Sequence, residues 1–121
     1  MTFPRWTLVF CAGLAVGCAG VRDAATFADA VEARFHVPAS VFINNGTHLR
    51  VTFRNAPAAV IADSTRRAAF AREVAVFAKH AYPHPETLAD VTVAFAAVRS
   101  AGPVTLTQTD APYRWTLAEL P

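Results

Sequence analysis

The stretch from Val37 to Asn55, VPASVFINNGTHLRVTFRN, decides the fold. Val37, Ala39, Val41 and Ile43 fall on alternate positions, and so do Thr47, Leu49, Val51 and Phe53. A period of two marks strands that bury one face. Asn44-Asn45-Gly46 lies between the two runs and reads as a hairpin turn. A two-residue Asn45-Gly46 loop would pair Ile43 with His48 and set the apolar row against His48 and Arg50. A three-residue loop pairs Ile43 with Thr47 and Val41 with Leu49, so every apolar residue shares one face and Gly46 takes the left-handed position. The pattern predicts the three-residue loop, with Phe42 on the outer face.

Helices flank this hairpin. Phe27, Val31 and Phe35 form one stripe of a helix over 21–34, with Asp23 at its start and Pro38 beyond its end. A second helix is expected over 64–81, with Phe70, Val74, Phe77 and Ala81 buried, Arg66, Arg72, Glu73 and Lys79 outside, and Asp63 or Ser64 as cap. Tyr82-Pro83-His84-Pro85 stops it. Alternation returns over 90–98, with Val91, Val93 and Phe95 inward, and over 104–109, with Leu106 inward. It returns once more at Tyr113, Trp115 and Leu117, and 119–121 reads as a tail. The expected fold is α+β in the order α-β-β-α-β-β-β: one antiparallel sheet of four to five strands with two helices packed on one face. The other face would carry Arg50, Thr52, Arg54, Thr92, Thr105, Thr107, Arg114 and Thr116, a row suited to water.

The N-terminus has its own logic. Met1 to Arg5 carries one basic side chain, and Trp6 to Val16 is almost wholly apolar. That run fits a signal-peptide core and is shorter than the ~20 residues of a membrane span. Leu14-Ala15-Val16-Gly17-Cys18 then ends in a cysteine preceded by small residues. This resembles the lipobox of bacterial lipoproteins. The resemblance implies cleavage before Cys18, a diacylglyceryl thioether on its sulfur and, usually, a third acyl chain on its amino group. It divides the chain into a signal peptide (1–17), a lipid-anchored tether (18–22) and one α+β domain (23–121). Ala15-Val16-Gly17 also fits an ordinary secretory signal cut at the same bond, and an uncleaved anchor running to Val21 is a third reading. Cys11 leaves with the signal, so Cys18 is the one thiol kept, and acylation would protect it from intermolecular disulfides. Ala19, where an aspartate would signal inner-membrane retention, favours the periplasmic side of the outer membrane. The short tether predicts that the start of the first helix faces the bilayer.

Cutting before Cys18 leaves 104 of the 121 residues, enough for a single modest core. Charged residues make up 17% and the net charge is +2, falling to about +1 without Arg5. Such a balance excludes a nucleic-acid footprint. His80 and His84 are four apart, with Glu86 and Asp90 downstream, a spacing that suggests a metal pair. Pro83 and Pro85 spoil the helical geometry this needs, and a pair of surface histidines at a helix end is the plainer reading. His36, Ser40, Asp63 and Ser64 supply the residue types of a hydrolase triad without a Gly-x-Ser-x-Gly elbow. Asn45-Gly46-Thr47 matches a glycosylation sequon but reads as the turn. Tyr113 and Trp115 could stack on a sugar, though their alternation suits the core. Arg50, Arg54 and Arg114 mark the one surface with a binding character, toward an acidic envelope polymer or a partner protein. The preferred reading is therefore a non-catalytic, lipid-anchored envelope module without a cofactor. The alternative is a small periplasmic enzyme or metal-binding accessory protein using His80 and His84.

Overall fold

The computed structural model describes residues 5–57, 62–109 and 111–121, with side chains described for 20–57, 62–97, 102–104 and 111–121. The predicted element order holds. Helix α1 (Arg5–Phe35) leads into β1 (Ala39–Asn44) and β2 (His48–Arg54), followed by α2 (Ser64–Ala81), β3 (Asp90–Ala101), β4 (Val104–Thr109) and β5 (Tyr113–Thr116). Helix α1 begins well before residue 21, and the proposed signal segment and Cys18 lie outside the residues whose side chains are described. So do Thr105, Leu106 and Thr107. Among the described residues no helix is long and apolar enough to cross a membrane.

The sheet is mixed, not wholly antiparallel. β1 and β2 are antiparallel, β2 and β3 are parallel, and β3 pairs antiparallel with β5 along its first residues and with β4 along its last. The physical reason lies in the connection. Parallel neighbours need a crossover of about a dozen residues or more, usually a helix, and α2 supplies it between β2 and β3. β3 is thus an inner strand, and Val93-Ala94-Phe95-Ala96 is buried throughout, as strands covered on both faces are.

The hairpin corrects its expected register. Ile43 lies opposite Leu49 and Val41 opposite Val51, two residues along from the predicted pairing. Asn45 (φ 55°) and Gly46 (φ 71°) both have positive φ, and the Thr47 amide donates to the Asn44 carbonyl (3.2 Å). That is the signature of a tight Asn-Gly turn of the primed type. Asn44 lies opposite His48, so the loop keeps the expected three residues but is displaced by one, to Asn45-Gly46-Thr47, with Thr47 just before β2. Its carbonyl is taken by the Ala89 amide (2.7 Å), so the entry to β3 holds it. A shift of two leaves every side chain on its predicted face. Leu49, Val51 and Phe53 are buried, and Phe42 is 65% exposed.

Helix ends follow local chemistry. Asp63 caps α2, its Oδ1 accepting from the Arg66 amide (2.8 Å). α1 ends where His36 turns left-handed (φ 59°) and its amide bonds the Glu32 carbonyl (2.9 Å). α2 sets Ala71, Val74, Ala75 and Ala78 deepest, and small side chains let it approach the sheet closely. Phe70 and Phe77 flank that line and are half-buried.

An unbroken chain of rings crosses the core: Tyr82, Phe27, Phe77, Phe35, Phe70, Phe53, Phe95, Tyr113, Trp115, with neighbouring centroids 5.2–6.3 Å apart. It joins α1 to α2 and α2 to β2, β3 and β5. The stacked Tyr113–Trp115 pair is the outer end of this chain and is half-buried. The end of the chain also departs from expectation. Leu117 leaves the strand for a short 3-10 turn (Leu117–Glu119), and Leu120 is buried in the core instead of trailing. Lys79, expected outside, donates to the carbonyls of Leu117 (3.2 Å) and Leu120 (2.6 Å) and clamps that turn to α2.

Candidate functional site

The outer face of the sheet is read in rows. One row runs Asn44, His48, Asp90, Thr116, and the next runs Phe42, Arg50, Thr92, Arg114. Asp90 is the first residue of β3 and is only 3% exposed. Among the described residues it is the one charged side chain in the buried set. His48 stands directly opposite in the parallel pair, and its Nδ1 donates to Asp90 Oδ2 (2.8 Å). Arg114, one row over on β5, donates from Nη2 to the same oxygen (2.7 Å). Burial pushes the Asp90 carboxyl up, but the hydrogen bonds and charges of Arg114 and His48 outweigh it and hold the group below the usual carboxylate range.

This arrangement fixes the imidazole. An ionised carboxylate only accepts, so Nδ1 carries the proton and Nε2 is the nitrogen left to act elsewhere. His48 keeps 46% of its side chain exposed and Arg114 65%, so both present their remaining polar edges to water. Arg50 shares a row with Arg114, with Thr92 between them. Arg54 is four residues further along β2, about 13 Å away at ~3.3 Å per residue. Arg50 and Arg54 are exposed, and among the described residues neither has a carboxylate within ion-pair distance. The predicted trio therefore divides: Arg50 and Arg114 gather around the His48–Asp90 pair, and Arg54 stands apart. With Asp90 neutralised by Arg114, the patch offers an oxyanion the remaining N–H groups of Arg114 and those of Arg50, while the Thr116 hydroxyl is already given to the Glu119 carboxylate (2.9 Å).

His80 and His84 are held by separate partners. His80 Nε2 donates to the Pro121 carbonyl (3.1 Å), while His84 Nδ1 donates to Asp23 Oδ2 (2.7 Å) and ties the loop after α2 to α1. Asp90, counted downstream of them, belongs to the sheet patch. Among the described residues no three His, Cys, Asp or Glu side chains gather as a metal site would require. The four residue types of a triad serve local structure: His36 closes α1, Asp63 caps α2, Ser64 opens it, and Ser40 is exposed on β1.

Sequence reasoning missed His48 and Asp90 as a pair. Alternation does place His48, Arg50 and Arg114 on the polar face. The partnership of His48 with Asp90, 42 residues apart, exists only in the parallel register. Comparison of the chain with known protein families, curated proteins and solved structures finds no match.

Proposed function

We propose that this chain is a lipid-anchored envelope protein that binds acidic groups on the outer face of its sheet. The observation that carries the binding half is Asp90. A buried carboxylate at a strand start is costly unless paired, and here it accepts from His48 and orients Arg114, whose guanidinium keeps further donor capacity toward water. Arg50, with no carboxylate at ion-pair distance among the described residues, adds a guanidinium beside Arg114. The anchoring half rests on the resemblance around Cys18. Each buried lipid CH₂ contributes ~0.8 kcal/mol, so two or three acyl chains hold a protein to a bilayer where one does so marginally.

Two measurements test the halves separately. Cys18→Ser should move the protein from the membrane to the soluble fraction, and a variant that still sediments with membranes as before removes the anchor. For binding, fluorescently labelled polygalacturonate is titrated against the protein, with anisotropy as the readout. Arg50→Ala should weaken binding about two- to fivefold, from ~0.5–1 kcal/mol per exposed ion pair, Arg54→Ala should weaken it less because that side chain stands apart from the patch, and added salt should weaken it further. Affinity indifferent to both arginines and to salt would rule the face out.

A further inference from the structure

A groove of about 590 Å³ lies between the end of α1 and α2, away from the sheet patch, lined by Arg34, Phe35, Arg72, Val76, Phe77 and His80 among others. We infer that it holds the apolar tail of a single-chain fatty acid, with the carboxylate at Arg34 and Arg72. This site is separate from the acidic-group surface and does not rest on it.

The helix pattern gives the first argument. α2 meets the sheet along Ala71, Val74, Ala75 and Ala78. Ala69, Arg72, Glu73, Val76, Phe77 and His80 recur at three- and four-residue spacing on another side, and this second stripe lines the groove. Val76, Phe77 and, from α1, Phe35 are half-buried there, an apolar floor beyond what the sheet contact uses. The volume lies within the ~300–1,000 Å³ of small-molecule sites, which are mostly apolar with a few placed polar groups.

Charge supplies the second argument and selects the occupant. The Arg34 guanidinium sits 5.1 Å from the Phe35 ring centroid, over the floor itself. Among the described residues neither Arg34 nor Arg72 has a carboxylate within ion-pair distance, although Glu73 lies on the same rim. His80 is turned toward Pro121. Two guanidinium groups without a carboxylate partner among the described residues, set beside an apolar trough, complement one carboxylate on one alkyl chain.

The test uses the full chain in amphipol with a diazirine analogue of palmitate. Photolabelling should concentrate in the segment 73–79, and palmitate should compete for it while hexadecanol, the same tail without the acid, competes poorly. Arg34→Ala/Arg72→Ala should cut labelling about fivefold, from two exposed ion pairs. An unchanged melting curve for that variant shows that the fold is intact. Equal competition by hexadecanol, labelling spread over the sheet, or labelling that ignores both arginines would overturn the assignment. So would a doubled mass in light scattering with no labelling, since a second copy would then cover the groove.

Discussion

His48→Ala/Arg114→Ala should destabilise the protein by about 3 kcal/mol, more than removal of Asp90 itself. The asymmetry follows from where water can reach. His48 and Arg114 are half-exposed or more, so Asp90→Ala returns them to solvent and forfeits about 1–2 kcal/mol of charged hydrogen bonds. The double variant strands a carboxylate that is 3% exposed. Loss of an uncompensated buried charge's partners costs about 3–5 kcal/mol, and the truncated side chains admit some water, which sets the value at the lower end. Asp90→Asn in the double background should recover most of the loss, because the amide carries no charge to desolvate.

The same pair predicts opposite responses to acid. In the native protein the Asp90 pKa lies below its unfolded value of ~3.9, so its contribution is fully present above about pH 4. It is lost as pH falls through the folded pKa. In the double variant burial acts alone and raises the folded pKa above the unfolded one. The folded state then takes up the proton first, so acidification from pH 7 toward 4 relieves the penalty. Denaturant unfolding at pH 7, 5.5 and 4 should show the two stabilities converging. Parallel curves would mean that Asp90 is neither buried nor held by these donors.

Local chemistry made much of the fold legible. Alternation in β1 and β2 fixed their faces, and the Asp63 cap and Tyr82-Pro83 stop bounded α2. Register was harder. The three-residue loop that parity demands is present, but over 45–47 and not 44–46, because Asn45 and Gly46 together take the positive φ values of the turn. Parallel pairing was harder still. The return of β3 beside β2 is set by how α2 crosses the sheet, a global property that no window of residues contains. The run from Val93 to Ala96 is its one local trace. The candidate site inherits this difficulty: Arg50 and Arg114 are readable from parity, whereas His48 meets Asp90 only after the parallel neighbour is known.

Phe53→Ala tests that parallel arrangement and should carry the largest single-residue effect. Phe53 is fully buried, with Phe70 at 5.2 Å and Phe95 at 5.8 Å between ring centroids. Truncating such a ring removes its transfer free energy and leaves a cavity, a loss of about 3–5 kcal/mol. Domains of this size are stable by ~5–15 kcal/mol, so much of the margin goes, and the Tm should fall by at least about 12 °C. Phe42→Ala, on the partner strand of the same hairpin but 65% exposed, should stay within about 0.5 kcal/mol. The stacking of Phe53 on Phe95 depends on their facing each other across β2 and β3. A double-mutant cycle between them should therefore return a coupling of about 0.5–1.5 kcal/mol. A cycle that closes to zero would separate the two strands, and with them the register that delivers His48 to Asp90.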